Sequence, residues 1–120
     1  MRSRVIAVST HSLSVPYTGI AEYTRRVIDA IVSADGLSAV FHGPGGWSRN
    51  VIAGMPSRSP GARLRRKARS LISRRPHFDL FHEPNFIPLT AAEPLAVTVH
   101  DMSCFTCPEF HPMDRLRFFH

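Results

Sequence analysis

Cysteine is scarce: the 120 residues hold two, Cys104 and Cys107. Two are too few for a disulfide scaffold, and a lone C-x-x-C reads as free thiols of a reducing compartment. Long apolar runs are missing as well. Nothing approaches the ~20 residues of a membrane span, and Val5-Ile6-Ala7-Val8, ending at once in Ser9-Thr10-His11, is shorter than the ~7–15-residue core of a secretory signal. The sequence therefore predicts a cytoplasmic chain. Phosphate-loop signatures are absent too: Gly43-Pro44-Gly45-Gly46 has no Lys-Ser/Thr behind it, and no G-x-G-x-x-G follows the first apolar run. Acidic residues are missing from the segment Arg63 to Arg75, which carries seven of the fifteen Lys and Arg residues. Elsewhere the charges nearly balance, so the formal charge of +6 marks one local stripe rather than a general affinity for polyanions. No internal repeat is present.

What is there suits one small folded domain: 43% hydrophobic and 20% charged residues exclude a disordered tail. Val5 to Val8 reads as a strand buried on both faces. Ile20, Tyr23, Val27, Ile28 and Ile31 recur at helical spacing, and Asp35-Gly36 closes that helix. Leu37 to Phe41 supplies a second strand. Gly43 to Gly61 collects eight of the seventeen Gly and Pro residues and reads as a long, mobile surface loop. Ser59-Pro60 opens a basic amphipathic helix in which Leu64, Ala68, Leu71 and Ile72 share an arc of about 100°. Phe78 to His82 and Leu95 to Val99 are two further strands. The alternation predicts an α/β fold with a doubly wound parallel sheet.

Four features can carry chemistry. Gly19, at the mouth of the first helix, lies where unpaired N–H groups and the helix dipole favour an anion, or it serves the turn alone. His100-Asp101 falls at the carboxyl end of a strand, where open α/β sheets bind ligands. There His100 can exchange hydrogen bonds with sugar hydroxyls while Asp101 orients it or accepts a hydroxyl proton; alternatively Asp101 caps the next turn and His100 packs. His100, Cys104, Cys107 and His111 imitate a zinc set, but all four lie in one short stretch with Pro108, where the chain can hardly surround an ion, and buried packing is the expectation for both cysteines. The basic helix, with Arg63, Arg66, Lys67 and Arg69, suits a solvated face, a nucleic acid or the anionic face of a membrane. It lacks the aromatic residues that stack on bases, so no specific nucleic-acid partner is expected. Its apolar side is expected to cover the sheet.

Thr18-Gly19-Ile20-Ala21-Glu22-Tyr23-Thr24-Arg25, His82-Glu83-Pro84-Asn85-Phe86-Ile87-Pro88, Val97-Thr98-Val99-His100-Asp101-Met102-Ser103 and Pro108-Glu109-Phe110-His111-Pro112 together resemble, in order and spacing, the N-terminal domain of family 4 glycosyltransferases. The resemblance covers nearly the whole chain and is weakest between Gly43 and Arg75. It implies the N-terminal, Rossmann-like half of a two-domain GT-B fold, acting as a retaining, mannosyltransferase-like enzyme on a nucleotide-diphosphate sugar, with a glycan or lipid-linked acceptor and no metal. On that resemblance Gly19 approaches the donor diphosphate, His100 and Asp101 line the cleft beside the transferred sugar, and Glu83 and Asn85 face the acceptor. Ala21 stands where the family often has a second Gly, and the paired-glutamate motif of the donor-binding C-terminal domain is absent. The resemblance thus implies an incomplete enzyme, inactive by itself. The other expectation is a non-catalytic basic module for an anionic membrane or nucleic acid. The last helix, begun by His111-Pro112, stops without a terminating signal, so Leu116, Phe118 and Phe119 are expected to lack a partner surface and the chain to be only marginally stable when made alone.

Overall fold

The computed structural model describes residues 3–15, 18–51, 60–90 and 92–117. The β-branched run near the amino end forms β1 (Arg4–Ser9), fully buried from Ala7 onward. After a 3-10 turn, α1 (Gly19–Ser33) starts with Thr18 as its cap, the Thr18 hydroxyl accepting from the Ala21 N–H at 3.1 Å. Ala21, Thr24 and Ile28 are its buried stripe, while Glu22 and Arg26 pair at 2.8 Å on the wet side. Gly36, at φ 75°, supplies the left-handed residue that turns the chain back. It leads into β2 (Leu37–Gly43), which lies parallel to β1 with Val8 beside Phe41.

A short strand, β3 (Gly46–Ser48), pairs antiparallel with β2. It occupies part of the stretch expected to be a long loop. Pro44-Gly45 makes a tight hairpin, and Trp47 stacks on Phe78 at 5.5 Å, an apolar reward that a Gly/Pro count does not register. Residues 52–59 of that expected loop lie outside the described residues. After α2 (Pro60–Ile72) come β4 (Leu80–Glu83) and β5 (Leu95–Val97). Strand β4 begins later than the apolar run suggests because Asp79 is used to anchor it: its N–H donates to Val5 O at 2.8 Å and its carboxylate accepts from the Val5 N–H at 2.7 Å.

The sheet order is β3-β2-β1-β4-β5, parallel except for β3, a Rossmann-like half-domain. One face carries Val8, Leu13, Ala21, Ile28 and Phe41 under α1. The other carries Ala7, Val40, Phe78, Phe81 and Ala92, with Trp47 and Val5 packed against them. No helix bridges β4 and β5 among the described residues. The chain bends at Pro84–Ile87 instead, and Ala92 joins the core of the second face. Beyond β5 lie α3 (Ser103–Thr106), a 3-10 turn at Pro108–Phe110 and α4 (Met113–Leu116). Cys104 is buried and Cys107 half-buried, both as free thiols, and no group of His, Cys, Asp or Glu among the described residues is placed to hold a metal ion. Leu116 is buried rather than exposed, while Phe118 and Phe119 lie outside the described residues.

Helix α2 departs most from expectation. Leu64, Leu71 and Ile72 are 70%, 78% and 78% exposed. The helix meets the sheet chiefly at β3, where a side chain on Gly46 would come within 3.0 Å of Ser70 Cα and the Trp47 N–H donates to Ser73 Oγ at 3.1 Å. Small residues at the helix end fit a strand whose glycine has no side chain to keep them away. The apolar stripe is consequently turned outward.

Candidate functional site at the carboxyl edge of the sheet

The carboxyl ends of β1, β2, β4 and β5 converge on one edge, with the switch in strand order at β1. Tyr23, one turn into α1, reaches over that edge. Its hydroxyl and Thr98 Oγ1 are 3.0 Å apart, and Thr98 Oγ1 is also 2.9 Å from His82 Nε2. The Tyr23 ring meets His100 edge to face at 4.9 Å. The His100 Nε2–H donates to the Pro84 carbonyl at 2.7 Å, which fixes the tautomer of the neutral ring and leaves Nδ1 as an acceptor. Burial holds His82 below the usual histidine range.

Asp101 forms an Asx turn at the amino end of α3. Its Oδ1 accepts from the Ser103 N–H at 2.8 Å and from the Ser103 hydroxyl. Because that hydroxyl proton is committed, Ser103 Oγ accepts from His111 Nε2 at 2.9 Å, giving a chain from His111 through Ser103 to Asp101. The Ser103 hydroxyl first, and then the Ser103 N–H, keep the Asp101 carboxyl below its ordinary value. Asp101 and His100 are both exposed.

Glu83 is different: it is only 3% exposed. Its Oε1 accepts from the Asn85 N–H at 3.2 Å, while Oε2 is enclosed without a hydrogen-bond partner. Burial pushes this carboxyl up, against the Asn85 N–H, the Ser9 hydroxyl and the Leu89 N–H, which favour its charge. Asn85 in turn accepts the Phe86 N–H at 2.9 Å. A second imidazole pair, His11 and His42, stands nearby with centroids 5.4 Å apart, His42 bonded to Thr90 at 3.0 Å. Burial lowers both, and the charge of His11 lowers His42 further. Gly19 opens α1 at an exposed position with open space where a side chain would stand.

The structure thus gathers His100, Pro84 and the Glu83–Asn85 turn, with Gly19 one turn from the Tyr23 that touches His100. Asp101 is instead tied to the following turn. Sequence reasoning counted Tyr23 as part of an apolar stripe, weighed His111 only as a zinc ligand, and assigned no separate role to Thr98 or Ser103. The available signal was the polar tip of Tyr23 on a helix leaving β1, and the Ser two residues after Asp101, an Asx-turn spacing.

No protein-family profile matches the chain, and no solved structure matches it. It is similar to the O-antigen chain mannosyltransferase B of Escherichia coli, 27% identical over 135 aligned positions that take in 94% of this chain and 35% of that protein. The chain spans about a third of the length of that relative. The Rossmann-like half-domain is consistent with this similarity to a glycosyltransferase. Among the described residues no helix is long and apolar enough to cross a membrane.

Proposed function

We propose that the chain is the acceptor-side half of the cleft of a retaining, family 4-like glycosyltransferase of GT-B architecture. Such an enzyme moves a sugar such as mannose from a nucleotide-diphosphate donor to a glycan or lipid-linked acceptor without a metal, and a second domain outside this chain grips the donor. The observation that carries the reading is the extended similarity to a mannosyltransferase combined with a pinned, exposed His100 at the ligand-binding edge of the sheet.

In this reading His100 offers Nδ1 to a sugar hydroxyl, and Tyr23 and Pro84 hold the ring for that task. Asp101, kept ionised by Ser103, takes a second hydroxyl through Oδ2. The amino end of α1, bare at Gly19, meets the donor diphosphate. Buried Glu83 shapes the acceptor side from beneath by holding Asn85, whose NH2 group donates to the acceptor.

Titration of the isotope-labelled chain with mannose-terminated oligosaccharides at about 10 mM, enough to reveal millimolar affinity, is the test. Signals of His100, Tyr23 and Asn85 are expected to shift together, and His100→Ala to abolish the response. A full saccharide panel that moves none of them overturns the proposal. Retention is read from the anomer of the product once the donor-binding half is supplied; an inverted product removes that part.

A further inference from the structure

His82, Thr98 and Tyr23 form a chain of hydrogen bonds that can run in either direction. His82 lies in register beside Val8 of β1 and Ala96 of β5, on the sheet face that α1 covers. Its Nε2 stands 2.9 Å from Thr98 Oγ1, and that oxygen stands 3.0 Å from the Tyr23 hydroxyl. The main chain fixes the middle member, because the Thr98 N–H donates to Glu83 O at 3.0 Å. The Thr98 hydroxyl has one proton to give. It therefore donates to His82 while accepting from Tyr23, or donates to Tyr23 while accepting from His82. A neutral imidazole permits the first sense, and the phenol, a stronger acid than an aliphatic hydroxyl, favours it. A charged imidazole carries a proton on both nitrogens, so Nε2 can only donate and the second sense becomes compulsory.

We propose that His82, acting through Thr98, is a positioning residue that sets the polarity of the Tyr23 hydroxyl at the ligand-binding edge of the sheet. With His82 neutral, the Tyr23 proton points inward to Thr98 and its oxygen offers lone pairs, which suits the hydroxyl of a sugar. With His82 charged, the Tyr23 proton turns outward, and the same group suits an atom that can only accept, such as a phosphate or ring oxygen. Burial keeps His82 below the usual histidine range, so the neutral sense is the resting one at about pH 7. The groups that face the imidazole are Tyr23 from α1, Thr98 beyond β5 and Val8 of β1, none of them charged at that pH. Glu83, next in the chain, projects from the opposite face of β4. His100 meets the relay at the Tyr23 ring, edge to face at 4.9 Å. The choice of a sugar hydroxyl as the resting ligand rests on the reading above; the reversal belongs to the three side chains and needs no ligand.

Nuclear magnetic resonance of the isotope-labelled chain without ligand, followed from about pH 8 to about pH 5, tests the reversal. Neutral His82 is expected to carry its proton on Nδ1 and leave Nε2 bare, and the Tyr23 Cζ signal to move with the same midpoint as the His82 ring. Thr98→Val is expected to abolish that movement while His82 still titrates, which separates a relayed proton from a charge felt through space. A neutral His82 protonated on Nε2 overturns the proposal, and that measurement requires no variant. So does a Tyr23 signal that follows His100 instead, or one that still follows His82 in Thr98→Val. Affinity for mannose-terminated oligosaccharides is then expected to fall about fivefold as His82 gains its proton, the worth of one hydrogen bond. Thr98→Val, in which His100 still titrates, should lose that step. Saccharide binding that ignores the His82 midpoint overturns the assigned polarity. No saccharide binding at any pH counts against the sugar reading alone, since the ligand-free spectra decide the reversal.

Discussion

Replacing Thr98 by Val keeps the shape of the side chain and removes one oxygen, yet two elements lose their tie. That oxygen stands 3.0 Å from the Tyr23 hydroxyl and 2.9 Å from His82 Nε2, and a hydroxyl with one proton and two lone pairs can serve both. Each orphaned group costs about 1–3 kcal/mol when fully enclosed. Tyr23, His82 and Thr98 are half-buried, so the lower end applies and the pair sums to about 2 kcal/mol. Tyr23→Phe breaks one bond only and should cost about 1 kcal/mol. In the double variant the Tyr23 hydroxyl is already gone, so the two losses overlap by about 0.5–1 kcal/mol. Urea denaturation of the four proteins measures this cycle. A second readout is the His100 ring signal, which should shift in both single variants because Tyr23 packs edge-on against it. Thr98→Val within about 0.3 kcal/mol of the unaltered chain, or strict additivity in the double variant, would refute the reasoning.

Four more outcomes are expected. Phe81→Ala empties the most enclosed aromatic position, between Trp47 and Phe78, and should cost about 3–5 kcal/mol in chemical denaturation. His11, His42 and His82 all have folded-state values below the ordinary 6.5. The unfolded chain therefore binds protons first as pH falls, and the melting temperature should decline from about pH 7 downward through the folded values. Glu83 acts with the opposite sign, since its carboxyl is raised from 4.5: Glu83→Gln, which keeps the acceptor for Asn85, should be the more stable protein at about pH 8, with the gain vanishing near pH 4. A Gly46→Ala chain meets both a left-handed φ of 85° and Ser70 Cα. It should lose about 1–2 kcal/mol or more and expose the arginines of α2 to faster tryptic cleavage.

The parallel sheet was legible because Val5 to Val8 and Leu37 to Phe41 are short β-branched and aromatic runs on either side of a clean 3.6-residue stripe, a local signal that survives folding. His100 was legible for the same reason, since strand ends follow from strands. The orientation of α2 was not. Its stripe has the right period for a core helix, and only the Gly46 to Ser73 contact, across 27 positions of sequence, shows which side faces the sheet. Strand β3 was hidden by composition, for Trp47 earns its place from Phe78 rather than from its neighbours. The division of labour at Asp101 turned on Ser103 and His111, whose meeting depends on the geometry of α3 and the turn after it.

The Pro84 carbonyl has a consequence for how this edge can change over generations. It is a main-chain atom, so no side-chain replacement in the turn after β4 deletes the acceptor that aims His100. The same turn precedes Ala92, which is packed in the core, and β5, which pairs with β4. Adding or removing one residue between Glu83 and Leu95 would slide that carbonyl away from the imidazole while unseating Ala92. The aim of His100 is therefore written in the spacing of a loop: it tolerates new letters and punishes a change in their number.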